Sequence, residues 1–333
     1  VRPVQPLRLG TRGSQLALWQ ANEVARGIAA AGGPRCELAV IRTSGDHLQN
    51  AQLSDVGGKR LFVKEIEEAL LRGEIDLAVH SSKDMPVVLP EGLEIAAVLP
   101  REDPRDAVVL PAGAGFTRGA GGEPSLSDMD ALQKLLGLSA AIGTGSVRRI
   151  AQLAGTFRGA HFVGIRGNLD TRLRKLDERQ YDALVLAAAG LRRLGFESRI
   201  SLALPPAICV PAPGQGIVAV ETRSDAEGVR EIVRMVDDAA AHTALLAERR
   251  MVAALGGGCQ TPIGALAVVQ DASVELTGVV ATPDGARMIR ASATGQAGNP
   301  DAVGVSVAAQ LLAQGAREML SQISGRESPG ADR

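Results

Sequence analysis

The chain has 333 residues, is 45% hydrophobic but only 2% aromatic, and carries a formal net charge of −1. That length predicts two or three domains whose cores are built from Val, Leu, Ile and Ala rather than rings. Near-neutral charge and few stacking platforms exclude a general nucleic-acid binder, so any basic site is local and matched to a small anion.

Leu7–Gly10 reads as a strand, followed by the turn Thr11-Arg12-Gly13-Ser14 and a helix over Gln15–Ala31 with Ser14 as its N-cap. Glu37–Ile41 is a second strand, Leu61–Arg72 a helix, and Ile75–His80 an apolar strand that ends at Ser81-Ser82-Lys83-Asp84. Leu93–Leu99 is another strand. This alternation predicts an α/β domain with a mostly parallel sheet. Pro100–Pro111 marks a boundary with three prolines, although Asp106–Leu110 re-enters a strand, and Ala112–Glu123 reads as a Gly/Ala-rich surface insertion. The opening pattern then recurs. A strand at Ala140–Ile142 leads through Gly143-Thr144-Gly145-Ser146 into a helix at Val147–Leu153, and His161–Ile165 and Ala183–Leu186 are further strands. Two such domains facing each other make a cleft.

Ile217–Glu221 is a strand that returns to the first domain after a Pro-rich bend. Ala239–Leu255 is a helix stopped by Gly256. Beyond it the period changes. Ile263–Val269, Val274–Ala281 and Arg287–Ala293 are β-runs, Val303–Leu320 is a closing helix, and a polar tail follows. The fold class expected is α/β with three domains: 7–99 plus about 217–234, then 105–212 with the insertion near 112–123, then a small α+β domain over 239–320 with a three-stranded antiparallel sheet. A disordered tail is expected over 321–333.

Cys36, Cys209 and Cys259 are odd in number, far apart and form no CxxC pair, which suits a reducing compartment. The histidines His47, His80, His161 and His242 lack metal-ligand spacing, so no metal is expected. With no apolar run near 18 residues and no leader pattern, a cytoplasmic chain without a membrane partner is expected. Cys259 follows Gly256-Gly257-Gly258, where missing Cβ atoms let a bulky group approach; a lone cysteine is otherwise more often a buried, inert one. Arg12, Arg148, Arg149, Arg166, Arg172, Arg192 and Arg193 sit at or beyond strand ends, where open α/β sheets bind ligands, and guanidinium forks suit carboxylates. Taken singly, each is a solvated surface arginine more often than not; as a set they point to a polycarboxylate or phosphate. Asp84 is an odd anion in such a cleft unless positive charge develops on the ligand.

Nine ordered segments carry a resemblance. They are Leu9–Trp19 (LGTRGSQLALW), Val56–Glu65 (VGGKRLFVKE), Val79–Pro86 (VHSSKDMP), Arg101–Ala107 (REDPRDA), Ile142–Leu153 (IGTGSVRRIAQL), Arg166–Leu176 (RGNLDTRLRKL), Ala187–Arg199 (AAAGLRRLGFESR), Pro211–Val220 (PAPGQGIVAV) and Glu248–Ala265 (ERRMVAALGGGCQTPIGA). Over about residues 7–320 the chain resembles the porphobilinogen deaminases, also called hydroxymethylbilane synthases. The resemblance implies two periplasmic-binding-protein-like α/β domains and a transferase of tetrapyrrole biosynthesis. Such an enzyme joins four porphobilinogen molecules head to tail, with loss of ammonia, into linear hydroxymethylbilane. It implies a dipyrromethane cofactor held through a thioether at Cys259, with Lys59, Ser81, Lys83, Thr144, Ser146, Arg148 and Arg149 around it. Arg12, Ser14, Arg166, Arg172, Arg193, Phe62 and Gln215 match substrate-binding positions, and Asp84 matches the catalytic aspartate. A monomer is expected, with porphobilinogen as its partner and no nucleic acid. Departures fall at Gly13, Gln15, Ser82, Met85 and Gly145, where serine is common, and in the 112–123 insertion. Two other readings compete. One is a non-catalytic two-domain carboxylate-binding protein, which leaves Cys259 and Asp84 unexplained. The other is a phosphoryl-transfer enzyme, for which Gly57-Gly58-Lys59 is the only hint and the full phosphate loop is missing.

Overall fold

The computed structural model describes residues 5–44, 63–116, 125–257 and 261–324. Three sheets organise them. In the first, β1 (Leu7–Thr11) pairs in parallel with β2 (Cys36–Val40) and β3 (Leu77–Ser81). Strand β4 (Leu93–Val98) joins only through a later strand. The chain then crosses to the second sheet at β5 (Asp106–Val109). There β6 (Ala141–Gly143) pairs in parallel with β7 (His161–Val163) and β8 (Ala183–Ala187), while β5 runs antiparallel to β8 and to β9 (Leu202–Ala203). After β9 the chain returns, and β10 (Val218–Arg223) inserts antiparallel between β3 and β4. The orders β2-β1-β3-β10-β4 and β7-β6-β8-β5-β9 therefore match place for place. Each sheet is parallel except at its fourth strand, the one by which the chain enters from the other sheet.

Helices cover both faces of each of these sheets, which is why their strands read as continuous apolar runs. On the first sheet, α1 (Gln15–Ala30) packs Ala21, Val24 and Ile28 on one face, and α2 (Lys64–Leu71) packs Ile66, Ala69 and Leu70 on the other. On the second, α3 (Leu126–Leu136) and α4 (Val147–Leu153) cover one face and α5 (Leu169–Asp177) and α6 (Ala188–Arg193) the other. After β10 comes α7 (Glu227–Arg234), whose Val233 joins the first core. The third unit starts with α8 (Ala239–Leu255), capped by Asp238 at one end and by Gly256 at φ +66 at the other, a left-handed backbone that suits glycine. Its sheet, β11 (Ile263–Gln270), β12 (Ser273–Ala281) and β13 (Met288–Gln296), is antiparallel throughout, and α8, α9 (Pro300–Ala313) and α10 (Ala316–Ser324) bury one side of it.

The α/β class and the small antiparallel third sheet agree with the sequence. Three details differ from it, and two expectations fall partly outside the described residues. The closing helix is two helices, because the chain turns at Gly315 with φ +95. The last of them runs to Ser324, into the segment expected as tail. Helix α2 is seen from Lys64, and residues 61–62 lie outside the described part, as do 117–123 of the insertion. Helices α3 and α7 were not anticipated.

Candidate active site

The site is built at the carboxyl ends of the parallel strands of both sheets. Arg12 follows β1. Ser14 caps α1, its Oγ accepting from Ala17 N at 3.3 Å. Strand β3 is buried from Leu77 to His80 and runs straight into one 3₁₀ turn, Ser82–Asp84. Ser82 N donates to Ile217 O of the return crossover at 3.0 Å, which fixes the turn to that crossover. This presents half-buried Lys83 and Asp84 to the space between the sheets. Ser81 faces elsewhere: its hydroxyl accepts from Gln20 Nε2 at 2.9 Å. The segment leaving the turn is clamped from the third unit, because Arg249 Nη2 donates to Pro86 O at 2.8 Å and Val87 O at 2.7 Å.

The opposite wall starts from β6. Thr144 Oγ1 accepts from Ser146 N at 3.3 Å, and Ser146 caps α4. Arg148 and Arg149 open that helix, are buried, and converge on one carboxylate, Asp106. Arg148 Nη1 lies 2.7 Å from its Oδ2 and Arg149 Nε 2.9 Å from its Oδ1. Burial alone raises the Asp106 pKa, but the two arginine charges outweigh it and hold the carboxyl well below the usual carboxylate range. Arg166 follows β7. Arg172 on α5 donates from Nε to Gly167 O at 2.8 Å. Burial depresses the Arg172 pKa, the charges of Arg149 and Arg166 push it the same way, and Asp84 opposes them. These side chains thus share one field that favours an added anion. Arg193 is committed to the domain junction: it donates to Gly216 O at 2.7 Å and lies over the Trp19 ring at 5.5 Å, and burial lowers its pKa.

The two crossovers form the floor. Gln215 Nε2 donates to Pro104 O at 2.6 Å and to Asp106 Oδ1 at 3.0 Å. Gly216 has φ +88 and a Cβ there would collide with Glu102 O, so the two crossovers touch at a place only glycine fits. From α8, buried Glu248 accepts from Arg101 Nη1 at 2.6 Å, Gly214 N at 2.6 Å and Ala267 N at 2.8 Å, so one carboxylate joins both crossovers to the third unit.

Between these walls lies a cleft of ≈ 260 Å³, near the ~300 Å³ at which small-molecule sites begin and far too small for a macromolecule. It brings together Lys83, Asp84, Ser146, Arg148, Arg149 and Gln215, with Leu245, Arg249, Val252 and Thr261 from the third unit. Arg12, Ser14, Ser81, Thr144, Arg166, Arg172 and Arg193 are not part of its lining, although Arg172 feels both Asp84 and Arg149. Cys259, Lys59 and Phe62 lie outside the described residues. At the wall, Arg148 Nε and Gln215 Oε1 are buried with no hydrogen-bond partner among the described residues, one a donor and one an acceptor. Sequence reasoning passed over Asp106, Arg101, Glu248 and Arg249. One signal was available: Glu248 falls on the helix stripe of Leu245, Met251, Val252 and Leu255, and a charge on an apolar stripe needs a buried partner.

A cleft between two α/β units, lined by Lys83, Arg148, Arg149 and Arg249 together with the single carboxylate Asp84, has the make-up of a site for a small anion. Residues 7–231 match the family model for porphobilinogen deaminase, dipyromethane cofactor binding domain, and residues 242–313 match that for the porphobilinogen deaminase C-terminal domain. The chain belongs to the porphobilinogen deaminase family. It is 44% identical to the porphobilinogen deaminase of Syntrophobacter fumaroxidans, over 95% of this chain and 97% of that one. To that of Pelotomaculum thermopropionicum it is 43% identical, over 96% and 98%. Among solved structures, the Bordetella pertussis BvgS VFT2 domain aligns at 16% identity over 71% of this chain and 87% of that one, with a TM-score of 0.40; the fold assignment rests on sheet topology instead. Family membership removes the non-catalytic carboxylate-binding alternative.

Proposed function

We propose that this chain condenses four porphobilinogen molecules head to tail into linear hydroxymethylbilane, releasing one ammonia per addition, on a dipyrromethane primer bound through Cys259. Its three working units are 7–99 with about 217–234, 105–212, and 239–320, and it acts as a cytoplasmic monomer without nucleic acid. The observation that carries this reading is the pairing of Asp84 with Arg148, Arg149 and Gln215 in one cleft. The donor set fits a dipyrromethane: Arg148 Nε can meet a carboxylate and Gln215 Oε1 a pyrrole N–H, and both atoms otherwise lack a partner among the described residues. When bound, that group supplies the free pyrrole carbon to be extended.

The chain's own residues do the rest. Lys83, Ser146, Arg148 and Arg149 hold acetate and propionate groups next to the turn that carries Asp84, with Thr144 and Lys59 supporting them and Ser81 bracing the end of β3 through Gln20. Arg12, Ser14, Arg166, Arg172, Phe62 and Gln215 hold the incoming substrate, and Arg193 serves them from behind by bracing the domain junction through Gly216 O. When the aminomethyl C–N bond breaks, its electron pair leaves with ammonia and positive charge spreads to the ring N–H. Asp84 accepts that N–H bond and stabilises the cation, and it can take the proton lost from the carbon that forms the new bond. Thr261, two residues beyond Cys259, lines the same cleft. Intact mass spectrometry tests the reading: the chain should exceed its calculated mass by two condensed porphobilinogen units, and Cys259→Ser should abolish the excess. An active enzyme of unmodified mass would refute it.

A further inference from the structure

We propose that Asp106 is a positioning residue: its carboxylate, buried behind the cleft wall, aims Arg148, Arg149 and Gln215 as one unit and thereby sets how tightly the cleft holds carboxylate ligands. The inference rests on the function proposed above. Asp106 opens β5, the first strand after the chain crosses between sheets, and it is fully buried and is not part of the cleft lining. Its Oδ2 accepts from Arg148 Nη1 at 2.7 Å, and its Oδ1 from Arg149 Nε at 2.9 Å and Gln215 Nε2 at 3.0 Å. Arg149 Nη2 stands 2.7 Å from the same Oδ1. All three partners line the cleft, and Gln215 comes from the return crossover rather than from the second sheet. One acceptor therefore sets the aim of side chains from two segments.

The thiol beside it does not replace its charge. Cys209 Sγ donates to Oδ2 at 3.3 Å, and burial, then the Asp106 charge, pushes that thiol up to about 12, so it stays neutral. Two cations thus share one anion, which leaves one positive charge for the ligand. Guanidinium groups only donate. If one Asp106 oxygen becomes an amide NH₂, donor faces donor and an arginine must turn to another acceptor. Two are already in reach: Val210 O, 2.7 Å from Arg148 Nη1, and Val185 O, 2.9 Å from Arg149 Nη1. Two effects then oppose each other. Losing the anion makes the wall more positive, which tightens ligand binding, while freeing the forks lets each pivot about the carbonyl that already holds its Nη1, which loosens it. Aim was set by Asp106 and the carbonyls hold only one nitrogen of each fork, so loosening prevails.

The test compares full-length Asp106→Asn and Asp106→Glu with the parent chain, each supplied with porphobilinogen. Circular dichroism reports folding, intact mass the loaded fraction, and steady-state kinetics are taken per loaded chain. Folded Asp106→Asn should show a lower loaded fraction and a KM raised about tenfold, the scale of one charge-assisted hydrogen bond. Its kcat should change far less, and Asp106→Glu should fall between. Parental loading and KM in folded Asp106→Asn, or a KM below the parent's, overturns the inference. If the amide does not fold, Asp106→Glu decides on the same terms: a raised KM supports the positioning role and a parental one ends it. A parent chain without the two-unit adduct would instead remove the proposed function itself.

Discussion

At the scale of single residues, Asp84 carries the clearest expectation. It is half-buried, stands at the end of a turn anchored to the return crossover, and lines a cleft with Arg148, Arg149 and Arg249. Asp84→Asn keeps the shape and one acceptor oxygen and removes the charge. If that charge stabilises the substrate-derived cation, turnover per loaded chain should fall by roughly 10²–10⁴. Binding should not weaken, because Asp84 opposes the Arg149 and Arg166 charges at Arg172, and its loss leaves that field more positive. A purely structural aspartate would give the reverse: a lower melting temperature with turnover preserved. Single-turnover kinetics on variants of measured cofactor content separate the two, and Asp84→Glu should keep more activity than the amide because the charge is only displaced by one methylene.

At the scale of elements, helix α3 begins at a capping box. Ser125 Oγ accepts from Asp128 N at 3.2 Å, and Asp128 Oδ2 accepts from Ser125 N at 2.8 Å. Ser125→Ala should cost about 1 kcal/mol of stability by removing an acceptor for an otherwise orphaned helix donor. The cleft is lined by other elements, so KM and turnover should stay at parental values. A urea titration with activity on the same samples checks both, and unchanged stability would mean the cap is idle. The same helix shows where sequence reasoning stopped. Its Ser-x-x-Asp start was legible, but the neighbouring Gly/Ala insertion masked the period of Met129 and Leu132. Elements with strong periodicity and clear caps came out as read: α4 and α8 match to the residue, and the Ser14 cap is present. The break at Gly315 was lost because apolar residues on both sides keep one face continuous. Of the cleft lining, Lys83, Asp84, Ser146, Arg148, Arg149 and Gln215 were legible through motif resemblance. Asp106 was not, because its partners lie 42, 43 and 109 residues away and local pattern carries no such pairing.

At the scale of the whole molecule, three units meet on one carboxylate. Glu248 is fully buried on α8 and accepts from Arg101 of the outgoing crossover, Gly214 N of the return crossover and Ala267 N of β11. Arg101 also donates to Gln215 O at 2.9 Å, so the ion pair reaches the cleft floor. Two effects compete in its energetics. Burying the charges is costly, yet breaking a buried pair strands its partner, typically at about 3–5 kcal/mol. Stranding dominates here, since Arg101 keeps only backbone carbonyls. Glu248→Gln should therefore lower stability by about 3–5 kcal/mol, a large share of the 5–15 kcal/mol typical of a folded domain. The third unit should also loosen from the other two, splitting the calorimetric transition. The double variant with Arg101→Met distinguishes a simple ion pair from a junction. If Glu248 served Arg101 alone, removing both charges would restore most of the loss. Because two backbone N–H groups depend on the same carboxylate, the double variant should stay well below the parent. A double variant of near-parental stability, with one transition, would reduce Glu248 to the counter-ion of Arg101 and leave the packing of α8 to hold the third unit in place.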